Sequence, residues 1–238
     1  MLYLIGLGLN EKGISIEGKE AIKKCKKVYL EVYTVDFPYS TNKLEKVIGK
    51  KTIKLKREKV ESNNIIDEAK KQNIALLVYG CPLFATTHIS LVMEAEKNKI
   101  PLKIIYSASI FDAVAQTGLQ LYKFGKVSSL TKWGDNFEPD SFLDIVLQNK
   151  SIGAHSLILV DIGLGLADAL NELEISIQRR KTTIDKLIIC TNLGTDKSKI
   201  YYGNIRELKD KNIVAPYCFI IPTDMHFLEN DALERFKI

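Results

Sequence analysis

Long apolar runs are missing from this sequence, and their absence limits where the protein can reside. No stretch reaches the roughly 18 consecutive apolar residues that a membrane-spanning helix needs. The opening run Met1–Gly6 is short and has no basic residues before it, so it does not resemble a signal peptide. We therefore expect a cytoplasmic protein that is not bound to a membrane.

Cysteine and histidine are also scarce. The four cysteines contain no C-x-x-C pair, and the three histidines stand far apart. This spacing provides neither a zinc-ligand pattern nor a disulfide framework, so we expect no metal site. Isolated cysteines are typical of a reducing compartment. The cysteines are Cys25, Cys81, Cys190 and Cys218, and the histidines are His88, His155 and His226.

Positive charge is present without a dense basic stripe. The chain has 34 lysines and arginines against 29 aspartates and glutamates, a formal net charge of +5. Pairs such as Lys23–Lys24 and Lys50–Lys51 are explained by solvated helix faces. A nucleic-acid groove requires denser cations with interleaved aromatics, so we expect no nucleic-acid partner.

Several catalytic motifs are absent as well. We find no Walker loop of an NTPase, no H-E-x-x-H motif of a zinc protease and no arrangement of a Ser/His/Asp catalytic triad of a hydrolase. Gly6-Leu7-Gly8 follows the first apolar run, but Glu11 occupies the place of the third glycine of a dinucleotide fingerprint. Two interpretations of these glycines stay open: a tight strand-to-loop turn, or a bare backbone that a ligand edge approaches.

The first half of the sequence alternates strand and helix patterns. This alternation predicts a mainly parallel sheet with helices on both faces, whose ligand loops follow Leu7, Tyr79 and Tyr106. The predicted strands are Leu2–Leu7, Val28–Tyr33, Thr52–Leu55, Ile74–Tyr79 and Leu102–Tyr106. The predicted helices are Ile16–Lys27, Thr41–Ile48, Ile65–Gln72 and Ala85–Lys99.

The second half predicts a mixed sheet. We therefore expect an α/β protein of two α/β domains, residues 1–107 and 108–238, with the boundary near Ser107. The predicted strands are Val127–Leu130, Ser156–Ile162, Lys186–Asn192, Ile200–Tyr202 and Tyr217–Ile221. The predicted helices are Ser141–Leu147 and Leu166–Arg180.

Three further segments suggest function without proving it. In Gly80–His88 the glycine and proline favour a turn, Thr86 or Thr87 is a candidate helix cap, and His88 favours capping or packing over catalysis. Ser107–Phe111 allows either an N-cap or a close ligand approach. Gly118–Gly125 is interpreted as a buried connector without an assigned function.

Together these segments resemble the diphthine synthase family, a branch of the tetrapyrrole methylases. The resemblance covers nearly the whole chain, and GLQLYKFG and ATTH are its specific parts. It is carried by the segments MLYLIGLGLN, KVYLEVYT, REKVE, YGCPLFATTH, SASIFDAVAQTGLQLYKFG, EPDSF, LILVDIG and MHFLE.

The resemblance implies a fold, a cofactor and an acceptor. The fold is two α/β domains with the cofactor in the cleft between them, in a homodimer. The implied methyl donor is S-adenosylmethionine. The implied reaction trimethylates the amino group of a 3-carboxy-3-aminopropyl-histidine on translation elongation factor 2, forming diphthine in diphthamide biosynthesis.

The resemblance also implies which residues contact the cofactor, although two positions depart from the family pattern. The family usually has aspartate where Cys81 stands and histidine where Cys218 stands. His88 is our candidate for steering the acceptor, and no other catalytic residue is identified. The implied cofactor contacts are Leu9, Cys81, Phe84, Ser109, Ile110, Val160, Leu193 and Cys218.

Two other functions stay open at this point. One is a methyltransferase of the same fold that acts on a precorrin-like macrocycle, since one fold hosts several substrates. The other is a non-catalytic binding protein that has lost its cofactor, which the cysteines at positions 81 and 218 motivate.

Overall fold

The chain forms two compact units. A computed structural model describes residues 1–62 and 64–238. Unit 1 is Met1–Asp112 and unit 2 is Ala113–Ile238. The boundary proposed from the sequence, near Ser107, comes shortly before this division. No helix in the described part of the chain is long and apolar enough to cross a membrane.

Unit 1 is built around a parallel sheet with the strand order β3-β2-β4-β1-β5. Its strands are β1 (Leu2–Gly6), β2 (Lys27–Glu31), β3 (Ile53–Leu55), β4 (Ile74–Val78) and β5 (Leu102–Ile105). Its helices are α1 (Ile16–Lys23), α2 (Thr41–Ile48), α3 (Arg57–Val60), α4 (Asn64–Lys71) and α5 (Ile89–Lys97), and α6 (Ile110–Ala113) lies at the border with unit 2.

Burial on both faces explains why the central strands of unit 1 are continuously apolar. Leu2 and Leu4 of β1 pack into one buried cluster, while Tyr3 and Ile5 pack into another on the opposite face. Side chains alternate across a strand, so each face needs its own apolar set. Because every strand pair is parallel, all five carboxyl ends lie at one edge of the sheet, where loops can carry a site.

Unit 2 contains a mixed sheet with the order β6-β7-β10-β8-β9. Strand β6 is parallel to β7, and the other neighbouring pairs are antiparallel. The strands are β6 (Ser128–Leu130), β7 (Ser156–Val160), β8 (Leu187–Thr191), β9 (Lys199–Gly203) and β10 (Tyr217–Ile221). The helices are α7 (Phe142–Ser151), α8 (Leu166–Arg179), α9 (Ile205–Lys209) and α10 (Phe227–Glu234), with single 3-10 turns at Val114–Thr117 and Leu121–Lys123.

The amphipathic helix α8 shows how unit 2 closes its core. Leu166, Ala169, Leu170 and Leu173 are buried at a spacing of three and four residues, which places them on one helix face. They join a buried cluster that includes Phe219 at the centre of β10. The predicted α/β fold class is confirmed in both units.

Two helices are shorter than the sequence pattern predicts. The predicted helix Ile16–Lys27 ends at Lys23, because the Lys26 amide already donates to the Asn73 carbonyl and the chain enters β2 at Lys27. The predicted helix Ala85–Lys99 begins only at Ile89. Ala85 has a φ of 53°, which no right-handed helix accepts, so the apolar period extends beyond the helix itself.

Two local interpretations were wrong. The N-cap of α5 is His88, without a side-chain cap bond, rather than Thr86 or Thr87. The segment Gly118–Gly125 is not a buried connector, because Tyr122 is 84% exposed. Four short helices had no clear period and were not predicted: α3, α6, α9 and α10.

Candidate functional site

The loops after β1 and β4 are joined through bare backbone. The Gly8 amide donates to the Gly80 carbonyl at 3.2 Å, and the Gly80 amide donates back to the Gly8 carbonyl at 3.0 Å. Both glycines have positive φ, 69° and 68°. A Cβ on Gly6 would lie 2.6 Å from the Gly80 oxygen, closer than real contacts allow. These glycines are therefore required because two backbones meet at the sheet edge.

The loop after β5 lies against the same pair. The Ser107 hydroxyl donates to the Gly13 carbonyl at 2.9 Å. The Ser109 amide and hydroxyl both donate to the Asp112 carboxylate, at 2.7 and 3.1 Å. A Cβ on Gly80 would lie 3.7 Å from the Ser109 Cα. The three loops predicted to carry a ligand are thus neighbours within unit 1.

The predicted cofactor contacts of unit 1 lie in these three loops. Leu9, Cys81 and Ser109 are 7%, 4% and 3% exposed, whereas Phe84 is 46% exposed. The Phe84 ring packs edge-on against Phe111, with 5.3 Å between ring centroids. The result is a mostly apolar lining with one accessible aromatic face. Ile110, the fifth predicted contact, is half-buried at the start of α6.

The three predicted contacts of unit 2 share one edge of its sheet. Cys218 lies opposite Leu159 of β7 and Cys190 of β8. Because β10 is antiparallel to both, its beginning meets the carboxyl ends of β7 and β8, where Val160 and Leu193 lie. Chain topology, and not sequence proximity, brings these three residues together.

A polar cluster follows β2 and β4 at the edge of unit 1. The fully buried Glu31 carboxylate accepts from the Tyr33 amide, the Thr34 amide and the Thr34 hydroxyl, each at 2.7 Å. The Tyr33 hydroxyl lies 3.3 Å from Nε2 of His88, and Nδ1 of His88 lies 3.1 Å from the Pro82 carbonyl. A carbonyl oxygen only accepts, so Nδ1 carries the proton and Nε2 accepts from Tyr33.

Burial keeps this polar pair uncharged. His88 is 1% exposed, and burial lowers its pKa from the ordinary value. Burial, together with the Glu31 carboxylate, raises the pKa of Tyr33 to about 12. His88 therefore stays neutral with both ring nitrogens in use. It acts on any ligand only through its neighbours.

The loop after β3 completes the cluster. The Arg57 guanidinium lies 5.4 Å from the centroid of the Tyr33 ring, and its Nε is 3.8 Å from Oε1 of Glu61. The Thr87 hydroxyl donates to Oε1 of Glu61 at 3.1 Å. We call this set the Tyr33 cluster, which consists of Glu31, Tyr33, Arg57, Glu61, Thr87 and His88. Three segments singled out in the sequence, KVYLEVYT, REKVE and ATTH, meet in it.

A second buried carboxylate joins two segments of unit 2. Glu229 is fully buried and accepts from the Gln120 amide at 2.8 Å and from Nζ of Lys123 at 2.5 Å. It also accepts from Nε2 of His155 at 3.1 Å and from the His226 amide at 2.7 Å. Burial opposes its ionisation, but these donors lower the pKa of Glu229 to about 2. This ion network holds GLQLYKFG against MHFLE.

Sequence reasoning did not assign Glu229, although a signal was available. Both segments that it joins carry the family resemblance, and a glutamate three residues after an N-cap is a known signal for the start of a helix. What the sequence could not reveal is that the cap of α10 faces a lysine more than a hundred residues earlier. Buried ion networks of this kind depend on tertiary contacts.

A shallow groove elsewhere in unit 2 contains none of the predicted site residues. Its volume is about 330 Å³, and it lies beside the strand β9. It contains no carboxylate and no histidine, so it offers little acid–base chemistry. Its lining residues are Gln116, Ser198, Lys199, Ile200, Tyr201 and Phe236.

Comparison with known proteins gives one consistent result. A model of the tetrapyrrole (corrin/porphyrin) methylase family matches residues 1–209. The chain is 36% identical over 268 residues to a diphthine methyl ester synthase of Schizosaccharomyces pombe, covering 100% of this chain and 95% of the relative. It is 38% identical over 251 residues to a diphthine synthase of Methanocaldococcus jannaschii, covering 98% of each.

The structural comparison agrees. A crystal structure from Entamoeba histolytica, described as a diphthine synthase, has a TM-score of 0.91 and 34% sequence identity. That match covers 100% of this chain and 98% of the other. A second diphthine synthase crystal structure has a TM-score of 0.90 at 30% identity, covering 99% of this chain and 95% of the other.

Proposed function

This chain belongs to the tetrapyrrole methylase family, and from that premise we propose that it is a methyltransferase of diphthamide biosynthesis. The acceptor that we propose is the amino group of a 3-carboxy-3-aminopropyl-histidine on translation elongation factor 2, which becomes trimethylated. The methyl donor that we propose is S-adenosylmethionine. The observation that carries the proposal is full-length similarity to diphthine synthases, and three of the segments that carry the resemblance, KVYLEVYT, REKVE and ATTH, meet at one sheet edge of unit 1.

The residues of unit 1 fit such a donor in shape and chemistry. Because Gly6 and Gly8 carry no side chain, the loop after β1 can lie close against the loops after β4 and β5. Leu9 and Phe84 offer apolar surface to an adenine or a methyl group. The buried Tyr39 hydroxyl has no hydrogen-bond partner among the described residues, and its ring lies 6.3 Å from that of Tyr79, whose hydroxyl donates to the Leu9 carbonyl.

We therefore assign the donor contacts of unit 1 as predicted. Leu9, Cys81, Phe84, Ser109 and Ile110 would hold the donor, which supplies a methyl group already activated on a sulfonium. On unit 2, Val160, Leu193 and Cys218 stay predicted contacts. Cys81 offers no carboxylate to the donor's ammonium or hydroxyls, so we expect backbone groups of this loop to meet them.

The protein's task in this reaction is to position the acceptor and remove water from it. A protonated amine has no lone pair, so the acceptor must lose its proton before transfer. An apolar lining disfavours the charged form and thereby lowers the pKa of the amine. Holding the amine in line with the methyl group converts an encounter between two molecules into a step within one complex. Neither contribution requires a dedicated base.

His88 contributes by positioning. It is buried and bonded to Pro82 and Tyr33, so it links the loop of Cys81 and Phe84 to the Tyr33 cluster. The sequence-based proposal that His88 steers the acceptor is therefore retained in an indirect form. We also propose that the enzyme works in the cytoplasm as a homodimer.

A methyl-transfer assay tests this function. Purified protein is incubated with methyl-labelled S-adenosylmethionine and elongation factor 2 that carries the 3-carboxy-3-aminopropyl group. We expect label on this acceptor and none on elongation factor 2 with the unmodified histidine. In a parallel reaction with a precorrin as acceptor, label on the precorrin and none on elongation factor 2 would favour the small-molecule alternative. No binding of S-adenosylhomocysteine in calorimetry would favour the cofactor-degenerate alternative.

A further inference from the structure

The sheet edge of unit 1 has two chemically different halves. The loops after β1, β4 and β5 are rich in glycine and apolar residues and carry the proposed donor contacts. The loops after β2 and β3 carry charge and aromatic surface in the Tyr33 cluster. Since the strand ends are shared, the Tyr33 cluster lies beside the donor loop, and Tyr33 is bonded to it through His88 and Pro82.

Arg57 is the one cation of this cluster. It is the only arginine in residues 1–112. Its side chain is 64% exposed, and its nearest carboxylate, on Glu61, is 3.8 Å from Nε, beyond hydrogen-bond distance. Within residues 1–62 and 64–238 the guanidinium makes no hydrogen bond, so its donors are available to a ligand.

The arginines Arg179 and Arg180 in unit 2 provide a contrast. Arg179 contacts the Glu138 carboxylate, and Arg180 donates to both oxygens of Asp140, at 3.0 and 2.7 Å. Their charges are therefore used inside the fold. Arg57 instead makes a long ion pair with Glu61, and its guanidinium carbon lies 5.4 Å from the centroid of the Tyr33 ring, a contact that does not occupy its N–H groups.

We propose that Arg57 binds the carboxylate of the acceptor's 3-carboxy-3-aminopropyl group and thereby determines acceptor specificity. This inference rests on the proposed function. A planar guanidinium matches a carboxylate through two parallel hydrogen bonds, which fixes orientation as well as position. The acceptor's amino and carboxyl groups share one carbon, so a clamped carboxylate leaves the amine little freedom.

Tyr33 and His88 are positioning residues in this account. The Arg57 guanidinium lies over the Tyr33 ring. The Tyr33 hydroxyl is bonded to His88, and His88 is bonded to Pro82 in the loop of Phe84. The distance between acceptor and donor sites is thereby set by folded structure. The neighbouring Lys59 is exposed on the same short helix and, among residues 1–62 and 64–238, lies over no aromatic ring, so it provides a matched control.

The first experiment compares Arg57→Ala, Arg57→Lys and Lys59→Ala in the methyl-transfer assay on elongation factor 2. Loss of a charged hydrogen-bonding pair predicts a rise of about tenfold or more in KM for the acceptor protein in Arg57→Ala. Arg57→Lys should recover part of the affinity because the charge remains. Lys59→Ala should behave as wild type. Affinity for S-adenosylhomocysteine, measured by calorimetry, should not change in any variant.

A second comparison tests the supporting ring. Tyr33→Ala should raise the acceptor KM as Arg57→Ala does. Tyr33→Phe should restore it only in part, because the ring beside the guanidinium remains while the hydroxyl bond to His88 is lost. A purely structural role for Tyr33 would instead lower the melting temperature and the S-adenosylhomocysteine affinity together.

The outcomes separate this inference from the proposed function. If wild-type protein labels no elongation factor 2, the proposed function itself fails. If wild-type protein is active and Arg57→Ala has an unchanged acceptor KM, the assignment of Arg57 is overturned while the function stands. An equal rise in acceptor KM in Lys59→Ala would also overturn it, because the loss of any nearby positive charge would then have the same effect.

Discussion

The Tyr33 hydroxyl donates to Nε2 of His88 across 3.3 Å, and this bond connects two loops that are far apart in the sequence. The other ring nitrogen of His88 donates to the Pro82 carbonyl at 3.1 Å. One buried imidazole therefore couples the turn that carries Cys81 and Phe84 to the loop after β2. Burial lowers the pKa of His88 and thereby favours the neutral ring, in which Nδ1 donates to Pro82 and Nε2 accepts from Tyr33.

Removing this imidazole should impair the enzyme without abolishing donor binding. His88→Ala removes a buried imidazole and its bonds to the Pro82 carbonyl and the Tyr33 hydroxyl, which predicts a loss of about 1–3 kcal/mol of folding free energy. We also expect kcat/KM for elongation factor 2 to fall by about tenfold, since the Tyr33 cluster loses its anchor. Steady-state kinetics and thermal unfolding measure both effects. A variant with the wild-type methylation rate would exclude a positioning role for His88.

The glycine at position 6 should tolerate no side chain. A Cβ there would lie 2.6 Å from the Gly80 carbonyl, and backbone cannot move aside as a flexible side chain can. Gly6→Ala should therefore lower the free energy of unfolding by about 1–3 kcal/mol, as overpacking does, and weaken binding of S-adenosylhomocysteine.

Gly134→Ala is the matched control, because a Cβ at Gly134 would meet no atom within 4 Å. Urea unfolding and calorimetry compare the two variants. Equal stability and equal affinity in Gly6→Ala and wild type would show that the contact between the two loops is not needed for donor binding.

The buried carboxylate of Glu229 should make stability depend on pH in acid. The pKa of Glu229 is lowered from its ordinary 4.5 to about 2. A lowered acid pKa stabilises the fold above pH 4.5, and that contribution, about 3 kcal/mol, is lost as pH falls from 4.5 toward 2.

His155 adds to this loss at a higher pH. The Thr223 amide donates to Nδ1 of His155, so Nε2 carries the proton that is donated to Glu229. Burial lowers the pKa of His155, so the unfolded chain binds a proton first and stability declines below the ordinary 6.5.

Glu229→Gln should therefore be less stable than wild type at pH 7, and this gap should narrow as the pH falls from 4.5 toward 2. The matched control is Glu234→Gln on the same helix, because Glu234 forms an exposed ion pair with Lys237 and its loss should change stability little. Chemical unfolding across pH measures the difference. A stability gap in Glu229→Gln that does not narrow in acid would contradict an ionised Glu229.

The regular elements could be predicted from the sequence because each one buries apolar residues at the spacing typical of its own helix or strand. Tyr217–Ile221 and Thr41–Ile48 were predicted with the observed bounds, since a continuous apolar run and a capped amphipathic period are local signals. The sequence also predicted that the loops after β1, β4 and β5 lie together at one sheet edge, because parallel strands place their carboxyl ends together.

The Tyr33 cluster and the Glu229 network could not be predicted in this way. Arg57 and Tyr33, or Lys123 and Glu229, are ordinary polar residues in their own segments. Only the folded chain brings them together, and no local period records such pairs. The sequence also does not reveal which arginines are paired in the fold. Arg180 is hydrogen-bonded to Asp140, whereas Arg57 makes only a long ion pair with Glu61 in the described part of the chain.

The most direct measurement is mass spectrometry of the acceptor peptide of elongation factor 2 after incubation with the protein and S-adenosylmethionine. We predict that the peptide carrying the 3-carboxy-3-aminopropyl-histidine gains three methyl masses on its amino group, and that fragmentation assigns them to this side chain. An unchanged peptide mass, in the presence of protein that binds S-adenosylhomocysteine, would contradict the proposed function.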